Sequence, residues 1–283
     1  MTASAAVQST ATGRLRTALA HPLFRIGALL VGLWIVCAVA APLLTPWDPL
    51  DVDPLNRLSP PSRAHWFGTD RLGRDLFSRV ISGAREVLLV APVASLLGTA
   101  AGTLLALLAG YRGGFIDEAL NRVADAALAI PLLLLGLLTL TAVGPSRLAV
   151  IFVIAAIFSP LVMRTIRSGV IAEREKDYVQ LALLRGESDL YIAVREILPN
   201  VFHLVVVEFT VRTGYAVFTS ATLSFLGLGL QPPSSEWGVI VFEHYSFLTA
   251  GIWWPVVFPA LAISSLIIGF NFLAEAIGHL SQE

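Results

Sequence analysis

The chain has 283 residues, 56% of them hydrophobic and only 14% charged, with a formal net charge of -1 and a mean hydropathy of +0.76. Length alone allows two soluble domains, but this hydropathy lies far above what a soluble domain tolerates. The apolar residues gather in runs of roughly twenty, the length a helix needs to cross about 30 Å of hydrocarbon. Nucleic acid is excluded as a partner, because phosphate binding needs a basic surface and none accumulates here.

Residues 1–22 form a polar tail rich in Ala, Ser and Thr, with Arg14 and Arg16, expected to lie in the cytoplasm. The run from 23 to 44 is long enough to span and ends in APLLTPWDP without a small-residue cleavage site, so it reads as an anchor and not as a cleaved signal peptide. Its Cys37, the one cysteine, has no partner for an intramolecular disulfide and reads as a packing residue. Further spans are expected at 87–110, 118–143, 147–165, 201–226 and 252–275, six in all. Unpaired backbone groups in lipid cost several kcal/mol, so only helices and closed barrels span, and these runs lack a barrel's period of two. The fold class is therefore all-α, a polytopic membrane protein of six transmembrane helices.

Polar segments at 45–86 and between 164 and 200 interrupt the spans. If both termini are cytoplasmic, ten basic residues lie inside: Arg14, Arg16, Arg25, Arg112, Arg164, Arg167, Arg174, Lys176, Arg185 and Arg195. Seven lie outside, Arg57, Arg63, Arg71, Arg74, Arg79, Arg85 and Arg147. The positive-inside bias is weak, and charge alone leaves orientation open.

In the second span a small residue recurs at every fourth position, Ala94, Gly98, Gly102, Ala106 and Gly110, a stripe that lets another backbone approach closely. At the start of the third, Glu118, Arg122 and Asp125 have the spacing of an interfacial ion-pair cluster. Pro92, Pro131, Pro160, Pro255 and Pro259 fall within spans, where kinks are tolerated if neighbours satisfy the freed carbonyls. The fifth span aligns Glu208, Arg212, Tyr215, Thr219 and Thr222 on one face. Charge at the bilayer centre costs about 2.5–3.5 kcal/mol on insertion scales, so this face turns away from lipid. Two readings fit it: Glu208 and Arg212 neutralise each other and hold helices together, or the face lines a solute path.

From Ile171 to Asn200 the sequence IAEREKDYVQLALLRGESDLYIAVREILPN reads as a charged helix, a break at Gly186, a second short helix and a stop at Pro199. This helix-turn-helix outside the membrane is either a docking surface or a plain connection. No phosphate-binding loop of the G-x-x-x-x-G-K-[ST] type occurs, the GLG at 227–229 lacks a third glycine, and the five histidines are scattered. Neither a catalytic constellation nor a metal site is expected.

Three stretches resemble one family: HWFGTDRLGRDLFSRVISGAR from His65 to Arg85, AGYRGGFID in the short second loop, and SFLGLGLQPPSSEWG from Ser224 to Gly238. They are similar to the C-type permease subunits of ATP-binding-cassette importers for dipeptides, oligopeptides and nickel, and with the helix order the resemblance covers residues 23–275. It implies a type I permease fold, with a core over 87–276, an extracytoplasmic loop at 45–86, a cytoplasmic coupling loop at 166–200 and a tail at 277–283. In that family the coupling loop follows a pattern close to E-A-A-x-x-x-G and then a hydrophobic-L-P. Ala182, Gly186, Leu198, Pro199 and Asn200 fit it here, Glu187 and Ser188 belong to the same loop, and the resemblance implies that this loop inserts into a groove on an ATPase subunit. Gln180, Leu181 and Glu196 depart from the pattern, as does GFNFLAEAIGHL at the carboxyl end.

The resemblance further implies a second homologous permease subunit as heterodimer partner, two ATP-binding-cassette ATPase subunits and an extracytoplasmic substrate-binding protein. It places the chain in a bacterial inner membrane with both termini cytoplasmic. ATP and magnesium belong to the ATPases, so no cofactor is expected in this chain and no enzymatic activity. The cargo it favours is a di- or oligopeptide; nickel or a nickel chelate is the alternative, and a standalone secondary transporter a more distant one, since no related inverted halves are visible.

Overall fold

The computed structural model describes residues 21–280, so the tail readings for 1–20 and 281–283 lie outside the described residues. Nine helices follow: α1 Pro22–Leu44, α2 Leu76–Arg112, α3 Gly114–Leu128, α4 Leu132–Val143 and α5 Arg147–Arg174. Then come α6 Asp177–Leu184, α7 Asp189–Phe225, α8 Trp237–His244 and α9 Trp254–Leu280. Among the described residues no strand forms, and five helices are long and apolar enough to span. A sixth crossing exists only if α3 and α4 are taken together.

That pair corrects the expectation of one straight span over 118–143. The helix breaks between Leu128 and Leu132, and the two halves meet at 84°. Pro131 is the cause: it has no N–H for an i-4 carbonyl and disfavours helical backbone in Ile130 before it. Pro92 and Pro160 instead lie inside continuous helices.

A second correction concerns Pro199. The helix does not stop there but runs from Asp189 to Phe225, passing through a π-helical stretch at Ile192–Ile197. The wider turn lets Leu198 N–H donate to the carbonyl of Ala193, five residues back. This moves the proline ring off the carbonyl it would strike in an α-helix, so the proline is absorbed where it was expected to end the segment.

α2 is the centre of the bundle, packed by α1, α5 and α7. Its small-residue stripe meets α5. A Cβ on Gly98 would stand 3.0 Å from the Ala155 carbonyl oxygen, one on Gly102 2.7 Å from that of Ser159, and one on Gly110 2.8 Å from a Val170 methyl. Ala94 and Ala106 of the same stripe are fully buried. On the other flank α9 packs on α1 and α7, and Trp34 Nε1 donates to Ser265 Oγ across that contact at 2.8 Å.

Apolar packing falls into two clusters along α2. One, at its N-terminal half, gathers Leu76, Val87, Ile154, Leu223 and Trp237. The other, at its C-terminal end, gathers Ala106, Ile166, Val179, Ala182, Ile192 and Ile197. The second joins the 166–200 loop to the membrane helices.

Candidate functional site

The loop at the C-terminal end of α2 is built from short-range signals. Arg174, last residue of α5, donates through Nη1 to the carbonyls of Gly110 and Tyr111 at 3.2 and 2.9 Å, covering the open end of α2. α6 then closes at Gly186, whose φ of +76° is a conformation side chains with a Cβ rarely adopt. Gly186 N–H donates to Leu183 O at 3.0 Å and Glu187 N–H to Ala182 O at 3.2 Å, the paired bonds of a glycine-terminated helix. Ser188 caps the next helix by accepting from Tyr191 N–H at 3.3 Å.

This turn has one face rooted and one face open. Val179, Ala182, Ile192 and Ile197 are fully buried, whereas Leu181, Leu184 and Leu190 are exposed at 56, 84 and 74%. A small polar network fixes the root. Tyr178 Oη donates to Glu173 at 2.7 Å, and Asn200 Nδ2 donates to the Tyr178 hydroxyl at 3.2 Å and to Glu196 O at 2.7 Å. Burial and the adjoining Glu173 carboxylate push the Tyr178 hydroxyl well above its ordinary value, so it stays a donor. Leu198 is half-buried and Pro199 exposed in the same helix. The sequence reading named Ala182, Gly186, Glu187, Ser188, Leu198, Pro199 and Asn200 but missed Tyr178 and Glu173, because nothing in their spacing announces a bond between the end of one helix and the start of another.

On α7 the five polar residues do not share one environment. Glu208 is buried and holds Arg212 at 2.9 Å, and the Arg212 guanidinium lies 6.0 Å from the Phe158 ring centroid on α5 and 5.9 Å from that of Tyr215. Thr219 is buried, Thr222 half-buried, and both hydroxyls donate to carbonyls of their own helix, Tyr215 O and Phe218 O, at 2.8 Å. Tyr215 and Phe218 are exposed at 55 and 53%. The open part of this helix is thus narrower and more aromatic than the polar stripe.

At the other end of α2 lies a cluster that sequence reasoning did not foresee. Asp70 accepts from Arg74 Nε at 2.6 Å and from Arg79 Nη1 at 2.7 Å. Glu243 of α8 accepts from Arg74 and Arg79 at 3.0 Å each and from Arg71 at 3.1 Å. Arg74, Arg79, Asp70 and Glu243 are all buried, and Arg79 also donates to Ser234 O at 3.0 Å. Burial alone raises the carboxyls of Asp70 and Glu243, but Arg79 and Arg74 outweigh it and hold both below the usual range. His244 accepts from Arg71 N–H through Nε2 at 3.2 Å and faces Ile240 O through Nδ1 at 2.6 Å, which fits a neutral ring, and burial lowers its basicity.

The cluster binds the loop before α2 to the loop before α9. Beside it Trp237 Nε1 donates to Val80 O at 2.8 Å and Trp254 Nε1 to Thr69 O at 3.1 Å. Two of the three stretches that carry the resemblance, GTDRLGRD and SSEWG, therefore fold against each other. The available signal lay in the first stretch alone, where Asp70, Arg71, Arg74, Asp75 and Arg79 crowd beside the start of an apolar helix; the second carries only Glu236. The Glu118 cluster is also rearranged: Glu118 meets Arg122 at 3.4 Å on the surface, while Asp125 pairs with Arg164 of α5.

No group of three metal-ligating side chains gathers among the described residues. Comparison with known proteins then supplies a family. Residues 102–280 match the model for the binding-protein-dependent transport system inner membrane component, and residues 14–61 match that for the N-terminal TM domain of oligopeptide transport permease C. The dipeptide transport system permease protein of Alkalihalophilus pseudofirmus is 37% identical over 89% of this chain and 83% of its own length. A glutathione transport system permease protein of Escherichia coli O6:K15:H31 is 40% identical over 88% and 82%. A probable D,D-dipeptide transport system permease protein of Escherichia coli K12 is 36% identical over 92% and 87%. On these matches the chain belongs to the binding-protein-dependent inner membrane component family, as a C-type, multi-pass permease subunit of an ATP-binding-cassette importer, a non-enzymatic class of transport subunit.

Proposed function

We propose that this subunit forms half of the translocation pathway for di- or oligopeptides delivered by an extracytoplasmic binding protein. It pairs with a second homologous permease subunit, and its 166–200 loop docks on one of two ATPase subunits, which bind ATP and magnesium. Both termini then lie in the cytoplasm and the Asp70 and Glu243 cluster faces outward. The observation that carries this reading is the turn at Gly186. Exposed Leu181, Leu184 and Leu190 offer an apolar surface to a partner, while fully buried Val179, Ala182, Ile192 and Ile197 tie that surface to α2, α5 and α7. Force applied there is carried into the bundle because packed elements move as units.

Peptide cargo rests on the names of the relatives, dipeptide, D,D-dipeptide and glutathione permeases. No observation favours nickel. In the cycle we infer, closing of the ATPases draws the two permease loops together and opens the cavity between the permeases outward; release reverses it.

The test is reconstitution with co-expressed partners, reading ATPase retention in detergent and dipeptide uptake. Gly186→Asn keeps uptake, because Asn tolerates a positive φ, and Gly186→Val abolishes it while the chain stays in the membrane. Equal uptake by wild type and Gly186→Val overturns the lever, and uptake by this chain alone overturns the importer reading.

A further inference from the structure

Between α1 and α2 runs a groove of about 450 Å³ lined by Ile35, Ala38, Val39 and Pro42 of α1 and by Leu88, Leu89 and Arg85 of α2. Six of these seven side chains are apolar, and Ile35, Val39 and Leu89 are exposed at 48, 79 and 44%. Arg85 is the exception. It is exposed and makes no hydrogen bond or ion pair among the described residues. Its neighbour Glu86 directs its carboxylate to Arg147 at 2.5 Å.

Depth in the bilayer follows from helix lengths. α2 has 37 residues, about 55 Å at 1.5 Å per residue, against about 30 Å of hydrocarbon. Its early turns therefore stand clear of the hydrocarbon, and Arg85, nine residues in from Leu76, falls near the boundary. α1 gives the same level independently. It ends at Leu44, two residues past Pro42, and is followed by exposed Trp47, an aromatic of the kind that concentrates at the headgroup level. An unpaired guanidinium thus sits at headgroup depth directly above an apolar groove that descends toward the bilayer centre.

We propose that this groove is a binding site for one anionic glycerophospholipid, with the phosphate on Arg85 and an acyl chain along Val39, Ile35 and Leu89. Arg is suited to the phosphate because its planar fork offers two parallel N–H donors. Leu88 and Leu89, three and four residues on, share its helix face and line the same groove, and the long aliphatic stem of Arg85 can reach the interface as such side chains do. Such a lipid would hold the peripheral N-terminal helix to the bundle on the side that Trp34 and Ser265 do not secure.

Native mass spectrometry of the importer, purified with its co-expressed partners and titrated with phosphatidylglycerol or phosphatidylethanolamine, tests the site. Wild type should retain one phosphatidylglycerol in preference to phosphatidylethanolamine. Arg85→Gln should weaken that adduct by about tenfold, the scale of one charge-assisted pair, with Arg85→Lys between them. Val39→Trp, which fills the groove and leaves the charge in place, should remove the adduct as well, and melting curves on both variants confirm that the bundle is intact. Three results overturn the site: phosphatidylglycerol retained equally by Arg85→Gln and wild type; an adduct lost in Arg85→Gln but kept in Val39→Trp, which means headgroup attraction without a groove; or Val39→Cys crosslinking to the second permease, which means the groove is covered by protein.

Discussion

Replacing Glu243 by glutamine leaves Arg74 and Arg79 sharing the single carboxylate of Asp70 and takes from Arg71 its carboxylate partner, in a place where Arg79 has no exposed side-chain surface. An uncompensated buried charge costs about 3–5 kcal/mol, more than the intact pair is worth relative to apolar side chains. We therefore expect Glu243→Gln to lower the melting temperature in detergent sharply, and Glu243→Gln combined with Arg79→Leu to recover part of the loss. The cluster also fixes an acid dependence. Asp70 and Glu243 are held below the usual carboxylate range, so the folded chain binds fewer protons than the unfolded one. Their contribution is fully present above the unfolded values and is lost as pH falls through the folded ones. Glu236 acts in the opposite sense. It is fully buried at the start of α8, where it accepts from Val239 N–H at 3.0 Å, and burial raises its carboxyl to about 7. The folded chain keeps a proton there that the unfolded chain releases near pH 4.5, so stability from this group falls as pH rises from about 4.5 to about 7. Glu236→Gln, which keeps the cap, should match wild type near pH 5 and exceed it at pH 8, by at most about 3 kcal/mol at 1.4 kcal/mol per pH unit. Melting curves at the two pH values read the difference; a gap independent of pH contradicts a neutral Glu236.

Among the helices, what the sequence revealed was whatever repeats at short range. The stripe from Ala94 to Gly110 was legible because a period of four on one helix needs no knowledge of the partner, and the structure supplies that partner as α5. Gly102 has the least room, 2.7 Å to the Ser159 carbonyl and to Val162 Cβ. Gly102→Ala should thus destabilise the bundle more than Gly98→Ala, by roughly 1–3 kcal/mol as overpacking does, and the order of their melting temperatures checks it. Prolines were harder to read, since the same residue has three outcomes here. Pro160 is absorbed within a continuous helix, Pro199 is accommodated by a π-turn, and Pro131 breaks its helix by 84°. Which of these occurs depends on whether neighbouring helices hold the segment in line, and that is tertiary information. Arg74 and Arg79 were invisible for a related reason: Glu243 lies 169 and 164 residues away, and no local pattern joins them.

At the scale of the whole molecule these pairs also explain why charge counting gave so little direction. Three of the arginines that weaken the positive-inside bias, Arg71, Arg74 and Arg79, are held in internal ion pairs. Their place in that loop serves the folded cluster, and the rule counts basic residues without seeing their partners. α2 joins the two ends of the molecule, with the charged cluster at its start and the loop around Gly186 at its finish, and α7 lies along it. If the path runs beside α7, access along that helix should follow exposure and not the polar stripe as a whole. Tyr215→Cys and Phe218→Cys, at positions exposed at 55 and 53%, should react with a water-soluble thiol reagent, while Glu208→Cys and Thr219→Cys, at buried positions, should be protected. Labelling at 215 and 218 should rise or fall when ATP is trapped on the partner subunits, because alternating access changes which end of the cavity is wet. A scan in the absence of Cys37, the one native cysteine, gives a clean background. Protection of 215 and 218 in every nucleotide state, with lipid-soluble reagents reacting instead, would place this aromatic face in the bilayer and move the pathway to another helix.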